Sequence, residues 1–226
     1  MTNAPLTAIL FDTERSLCGP YLEKASLPWE LLAELDRLIA EISLTLPADF
    51  REVSPQVWVG SGTVIAPTAV IQGPAIIGRN CQIRHGAFIR EYVLVGNDAV
   101  IGNSTEVKNA ILFDGAQAPH FNYIGDSIMG HKAHLGAGAI LSNFKAAGDE
   151  IWVTLPNGKR QGSGRNKLGA LLGDFAEIGC NAVLFPGTII GRGAVVYPLC
   201  PVRGYLPTNQ ILKNDGRLYP KSTDLL

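Results

Sequence analysis

Residues 59–113 read VGSGTVIAPTAVIQGPAIIGRNCQIRHGAFIREYVLVGNDAVIGNSTEVKNAILF, and a large aliphatic or aromatic residue recurs at every sixth position. The series is Val59, Ile65, Ile71, Ile77, Ile83, Ile89, Val95, Ile101, Val107 and Phe113. Four residues after each comes a mostly small one: Thr63, Ala69, Ala75, Cys81, Ala87, Val93, Ala99, Thr105. A period of six is neither the 3.6 of a helix nor the alternation of a half-buried strand. It predicts short straight segments that each turn one large and one small residue inward, with a corner between segments. Three segments close a triangular coil of eighteen residues. Successive coils then pair through their backbones at a strand spacing of about 4.8 Å. The series is too long for the fortuitous spacing of a β-sandwich. It resumes with Met129, Leu135 and Leu141, and again with Leu172, Ile178, Leu184, Ile190 and Val196. The expected fold class is all-β: a parallel β-helix of hexapeptide repeats over residues 57–144 and 172–197.

Outward from the coils, three regions are expected: an N-terminal helical segment (1–55), the β-helix (56–200) with a loop at 145–171, and a C-terminal tail (201–226). Residues 28–46 carry Trp29, Leu32, Leu35, Leu38, Ile39 and Ile42 at helical spacing, with Pro28 at the start and Pro47 beyond the end. This reads as one amphipathic helix covering the coil body or its open edge. The loop, KAAGDEIWVTLPNGKRQGSGRNKLGAL, reads as an excursion with a hairpin around Pro156–Lys159. Its GSGR run is similar to a phosphate-binding loop, but no strand–loop–helix context surrounds it.

Hydrophobic residues make up 46% of the chain and charged residues 17%, which allows a large core and argues against disorder. A net charge of −1 argues against general attraction to nucleic acid or anionic membrane. Cys18, Cys81, Cys180 and Cys200 lie far apart with no C-x-x-C spacing, so reduced thiols are expected. No run approaches the roughly 20 apolar residues of a membrane span, and the N-terminus lacks a basic leader. A cytoplasmic protein is expected.

Polar residues that replace the small residue after the inward position need an explanation, and Arg84, Arg90, Lys108 and His120 all fall at or near that place. Arg90 and Lys108 are one coil apart, so they should stack, and two stacked cations repel unless an anion lies between them. A phosphate fits, with arginine as a planar fork and lysine as a point charge. The alternative is a solvated ladder neutralised by Glu91 and Glu106. At residues 119–124 (PHFNYI) Pro119 takes the aliphatic place and the next hexad is one residue short. His120 sits at that distortion and could accept a proton from an attacking amine or hydroxyl, with Glu106 or Asp126 holding its ring. His85, His120, His131 and His134 could also suggest a zinc site, but their spacing does not match one, and no metal is expected.

The runs GNSTEVKN, APHFNYIGDSIMG, LGAGAILSNF and NKLGALLGDFAEIGCNAVLFPGTIIG carry a family resemblance over residues 84–198. This part of the chain resembles the acetyltransferase half of the bifunctional glucosamine-1-phosphate acetyltransferase/N-acetylglucosamine-1-phosphate uridylyltransferase. The whole chain also looks like short proteins described as UDP-N-acetylglucosamine pyrophosphorylase-like. The resemblance implies left-handed coils, a homotrimer with sites between subunits, acetyl-CoA as co-substrate and a sugar phosphate as acceptor. It implies His120 as base and Arg90 and Lys108 as phosphate ligands. Tyr123 and Asn143 would contact the amino sugar or its phosphate, and Lys167 would reach into a neighbouring subunit's site. Ala137 and Cys180 would line the acetyl-CoA site. The chain departs from the family where His134 replaces an asparagine, Phe144 a tyrosine and Cys180 a serine. The loop is longer, and the family's CoA-binding arginine has no match from Val202 onward, where Arg203 is the candidate.

The expected function is therefore acetyl-CoA-dependent N-acylation of an amino-sugar phosphate, glucosamine-1-phosphate-like, or its nucleotide derivative. Backbone N–H groups near 135–138 would receive the oxyanion. Uridylyl transfer is not expected, because the residues before the coils carry no glycine-rich nucleotide loop or metal-binding aspartate. Two other readings stand beside the first: a non-catalytic trimeric module that binds a sugar nucleotide, and a subunit that accompanies a nucleotidyltransferase.

Overall fold

The computed structural model describes residues 4–221. Its coils stack into a left-handed parallel β-helix whose three faces are sheets of nine, seven and nine strands. In the first coils the inward residues pair eighteen apart, as the period predicts: Ile77 with Val95, Ile83 with Ile101, Ile71 with Ile89. The same step returns at Leu172 and Ile190. These side chains are buried and form one continuous column with the alanines at the corners. Face one comprises Phe50–Ser54, Val57–Gly60, Ala75–Ile77, Val93–Val95, Ala110–Leu112, Ile128–Met129, Ala170–Leu172, Thr188–Ile190 and Tyr205–Leu206. Face two includes Val100–Asn103, Gln117–His120 and His134–Leu135, and face three includes Phe88–Ile89, Glu106–Lys108 and Tyr123–Gly125.

The middle coils depart from the expected register. Val95 pairs with Leu112, Ile101 with Ala118 and Val107 with Ile124, all seventeen apart, and Leu112 pairs with Met129 at the same step. The short hexad expected after residues 119–124 lies at Gly125–Ser127, between Ile124 and Met129, and a second, not expected, precedes His120 at Lys108–Ala110, between Val107 and Leu112. Asn109 and Asp126 each take a φ of 46° at these corners, a left-handed conformation that Asn and Asp tolerate and that turns the chain with one residue fewer. Leu112 and Ala118 consequently fill the inward column. Phe113, the residue expected there, points outward and packs on Phe11 at 5.1 Å between ring centroids.

Face one has apolar residues on both sides. Its outward column of Ile76, Leu94, Ile111, Ile128, Leu171 and Ile189 is buried beneath the N-terminal segment and the loop residues Ile151, Val153 and Leu168. A strand covered on both faces reads as a continuous apolar run, and AII, VLV and AIL fit that description. The cover is not the single helix expected. Pro28–Ala33 is a 3₁₀ turn, and the α-helix proper spans Leu35–Ser43. Glu34, at φ −120°, separates the two, so Trp29 and Leu32 reach the core from the turn and Leu35, Leu38, Ile39 and Ile42 from the helix. Short helices at Leu6–Leu10 and Gly19–Leu22 add Leu6, Leu10 and Leu22. The buried carboxylate of Asp174 ties this segment to the coils. It accepts from the Asp12 amide at 2.7 Å, the His131 amide at 2.8 Å and the Arg192 guanidinium at 2.8 Å.

The coils also continue past the expected boundary at residue 200. Ile190 pairs with Leu206 and Val196 with Leu212, after which Leu218–Pro220 turns back antiparallel on Gln210–Leu212. At the other end Phe50–Ser54 lies antiparallel to Val57–Gly60. An antiparallel strand thus covers the last coil strand at each end, where an open edge would otherwise template association. The excursion loop contains the expected hairpin, Trp152–Thr154 against Arg160–Gly162, and its base is closed by a bridge between Phe144 and Lys167. Among the described residues no helix is long and apolar enough to cross a membrane.

Trp29 is 1% exposed in the layer between the helical segment and face one. Truncating it to Ala is expected to cost about 3–5 kcal/mol, the range for a buried tryptophan. Denaturant unfolding checks this, and a loss under about 1 kcal/mol would show that the segment is not docked on the coils in this way.

Candidate active site

His120 ends a face-two strand at the corner leading to face three, and its side chain is exposed. The next residue, Phe121, is exposed and takes a φ of 53°, a rare conformation for an aromatic residue. Asn122 then turns inward and takes the place between Thr105 and Ala139 in the column of small corner residues. It is fully used. Its Nδ2 donates to the Gly136 carbonyl at 2.9 Å and the Ala139 carbonyl at 3.2 Å, and its Oδ1 accepts from the His120 amide at 3.1 Å. A buried amide with all these partners specifies a single arrangement, so Asn122 fixes the backbone that carries His120.

The same corner brings the expected cofactor residues into line. Gly138 donates its amide to the His120 carbonyl at 3.0 Å, and Asn181 donates to the Ala137 carbonyl at 2.9 Å. His120, Ala137 and Cys180 thus follow one another on adjacent coils. In the turn after Leu135, the Gly136 amide is spent on Ile178 and the Gly138 amide on His120, whereas the Ala137 amide has no acceptor among the described residues. Cys180 is exposed.

Neither carboxylate expected to hold the imidazole does so. Glu106, on face three, accepts from Arg90 Nη1 at 3.1 Å. Asp126 lies at the opposite corner of face three, between face three and face one, and is buried. Its Oδ1 accepts from Asn109 Nδ2 at 2.8 Å and its Oδ2 from Asn143 Nδ2 at 2.6 Å. Arg165 adds an Nη2 contact to Oδ1 at 3.3 Å. The two short corners stack these residues one coil apart, and the asparagine donors satisfy the carboxylate. The role of Asp126 here is to lock three coils together, and Asn143 is held in that ladder.

Face three carries the other expected site residues in two outward columns. Glu106 and Tyr123 are register partners in one, and Lys108 and Gly125 in the other. Arg90 lies one coil before Lys108, as expected, but its guanidinium already faces Glu106 and, at 3.7 Å, Glu91. Lys108 has no hydrogen bond or ion pair to its ammonium among the described residues. The Tyr123 hydroxyl donates to Asn143 Oδ1 at 3.5 Å, and burial pushes its pKa up, with the nearby Glu106 charge adding to the rise. The phenol therefore stays protonated at neutral pH. Lys167 is exposed at the loop base, where a cleft of about 700 Å³ is lined by Asp126, Glu150, Arg165 and Lys167. The remaining histidines have separate neighbours: His85 meets Thr68, His131 the Asp114 carbonyl and His134 the Glu177 carboxylate. Among the described residues no group of three or more His, Cys, Asp or Glu is placed to hold a metal ion.

Asn122, Asn109 and Arg165 were not expected as site residues. Asn122 had a sequence signal, an asparagine in a column of small residues. Asn109 becomes visible only once the corner is known to be short, and Arg165 only once the loop is folded.

Comparison with known proteins agrees with the resemblance read from the sequence. The model of the GMPPB C-terminal domain matches residues 71–155. A bifunctional sugar-1-phosphate nucleotidylyltransferase/acetyltransferase of Sulfurisphaera tokodaii is 33% identical over 146 residues, 57% of this chain and 36% of that protein. The bifunctional protein GlmU of Methanocaldococcus jannaschii is 28% identical over 205 residues, 89% of this chain and 50% of that protein. The chain thus spans between about a third and a half of the length of these relatives. Among solved structures, the N-acyltransferase AntD of Bacillus cereus, in complex with dTDP-4-amino-4,6-dideoxyglucose and coenzyme A, aligns with a TM-score of 0.43 at 19% identity. That alignment covers 72% of this chain and 84% of AntD.

The ladder at the short corners makes Asp126 a structural residue. Asp126→Ala is expected to lower stability by about 3–5 kcal/mol, because it strands two buried amides and one guanidinium. Chemical denaturation gives the value, and a change within about 0.5 kcal/mol would mean that the ladder does not hold the coils.

Proposed function

We propose that this chain, a hexapeptide-repeat relative of the bifunctional GlmU proteins, is an acetyl-CoA-dependent N-acyltransferase acting on an amino-sugar phosphate or its nucleotide derivative. The observation that carries the reading is the corner column. An exposed histidine, fixed from behind by Asn122, lies one coil from a free backbone amide and two coils from Cys180, at the edge of a face that presents Tyr123 and Lys108. The names of the relatives, among them a bifunctional sugar-1-phosphate nucleotidylyltransferase/acetyltransferase, support a sugar-phosphate acceptor.

In this reading the acceptor lies across face three, its phosphate toward Lys108 and its amine toward His120. Tyr123, a protonated phenol braced by Asn143, contacts the sugar between them. As the amine nitrogen bonds to the thioester carbonyl carbon, neutral His120 takes its proton. The carbonyl oxygen, now negative, accepts from the Ala137 amide. The tetrahedral centre then collapses, the carbon–sulfur bond breaks, and the imidazolium returns the proton to the departing thiolate. Among the described residues no carboxylate holds the imidazole, so its orientation depends on the Asn122 anchor and on bound substrate. Lys167, exposed at the loop base, would complete a neighbouring subunit's site in a trimer, and Ala137 and Cys180 would line the acetyl-CoA channel. Arg90 braces Glu106 on the same face.

A second reading, a binding module that keeps the sugar-phosphate grip without transfer, is favoured by the unpartnered imidazole of His120 and by His134, Phe144 and Cys180 at the family's usual Asn, Tyr and Ser places. Release of free thiol from acetyl-CoA, followed across a panel of amino-sugar phosphates and amino-sugar nucleotides, separates the two. His120→Ala is expected to lower kcat by about 10²–10⁴-fold with little change in KM for the acceptor. Undiminished turnover in that variant contradicts the assignment of the base. No release from the unmodified protein with any acceptor, alongside measurable sugar-nucleotide binding, establishes the module.

A further inference from the structure

Two clefts meet beside the short corners. One, of about 410 Å³, lies between the N-terminal segment (Leu32, Ala33, Leu35, Asp36) and the corner residues Tyr92, Lys108, Asn109 and Asp126, with Arg165 on its rim. The other, of about 700 Å³, is the loop-base cleft, and Asp126 and Arg165 line both. The volumes are those of small-molecule sites.

The charges decide what the junction can hold. Asp126 is spent: both its oxygens accept from buried asparagine amides. Arg165 approaches only one of those oxygens, at 3.3 Å, and donates Nε to the Lys167 carbonyl at 3.0 Å. Its Nη1 has no acceptor among the described residues, and its side chain is 21% exposed. Lys108 lines the same cleft with an unpaired ammonium. Arg90, the cation expected to share a phosphate with Lys108, is neutralised by Glu106 and Glu91. Those carboxylates do what an intervening anion would have done for the stacked pair. A phosphate beside Lys108 therefore finds its second cation across the corner and not one coil below.

We propose that Lys108 and Arg165 form an anion pocket, walled by the N-terminal segment at Leu32–Asp36, that takes the phosphate-bearing end of the acceptor. The assignment rests on the acyl-transfer reading for the identity of the ligand, but not for the presence of the pocket. A guanidinium offers a fork to phosphate oxygens and an ammonium a point charge, and charge-assisted bonds of this kind are the strong ones. Asp36, exposed on the facing wall, opposes a bare anion and so sets the affinity from the other side. The N-terminal segment is thus part of the binding site as well as a cover for face one.

Calorimetric titration of the full chain with inorganic pyrophosphate tests this without requiring turnover. Arg165→Gln is expected to weaken binding by about tenfold. Arg84→Gln, which removes a surface cation bonded only to Gln82 on face two, should change it by less than about twofold. Asp36→Asn is expected to tighten binding by about threefold. That exposed substitution keeps the test decisive should Arg165→Gln fail to fold, because a residue that only backs Asp126 gives no reason for Asp36 to matter. Absence of pyrophosphate binding to the unmodified protein, wild-type affinity in Arg165→Gln, or no effect of Asp36→Asn overturns the pocket. If pyrophosphate binds as expected while no acceptor yields free thiol, the acyl-transfer reading fails and the pocket stands. Normal turnover with unchanged pyrophosphate affinity in Arg165→Gln sinks the pocket alone.

Discussion

The structure depends on coil-to-coil backbone pairing at fixed register. Each inward side chain stacks on its equivalent in the next coil, and each outward side chain inherits the same column, because the parallel ladders permit no slip without turning every residue to the other face. Burying the Ile77, Val95, Leu112 and Met129 column removes apolar surface from water at every step, so the register is held by the core as well as by hydrogen bonds. Residues far apart in sequence become neighbours by arithmetic. His120, Ala137 and Cys180 on one corner, and Asn109, Asp126 and Asn143 on another, are neighbours for this reason.

The two seventeen-residue steps adjust that arithmetic at the site. Each shift moves the following residues back by one relative to a strict repeat, which puts Tyr123 directly over Glu106 and Asp126 over Asn109. A carboxylate buried without partners would be very costly. The two asparagine amides remove that cost, and they tie the corner that carries Lys108 to the point where the loop leaves. The other corner is held differently, by Asn122 inside the coil. Both corners of face three are therefore anchored by buried amides, while Tyr123 and Lys108 between them face outward.

Much of the coil fold was legible because its signal is repeated many times, so a few exceptions do not hide it. The earlier short hexad, at Lys108–Ala110, escaped because Phe113, six residues after Val107, is itself large and apolar and mimics a continued series. Only the pairing of Val95 with Leu112 shows that the count had already changed. The N-terminal layer was half visible. The helical spacing of Leu35, Leu38, Ile39 and Ile42 is plain, but the AII, VLV and AIL runs that require a cover on face one were read only for their inward member. Among the site residues, the Arg90–Lys108 stack could be placed by counting. Which carboxylates neutralise Arg90 depends on side-chain reach, and Glu91 and Glu106 were among the alternatives. The contribution of Arg165 was hidden because the loop has no period, and its return to the corner is set by the bridge between Phe144 and Lys167.

In the proposed reading the coils, the anchored histidine and the cationic corner bring an amine to a thioester. The most direct measurement is the mass of an amino-sugar phosphate recovered after incubation with the unmodified protein and acetyl-CoA carrying an isotopically labelled acetyl group. The account predicts the label in an amide on the sugar nitrogen, with an equivalent amount of free CoA. Acceptors recovered unlabelled across the panel, with the thioester intact, would contradict it.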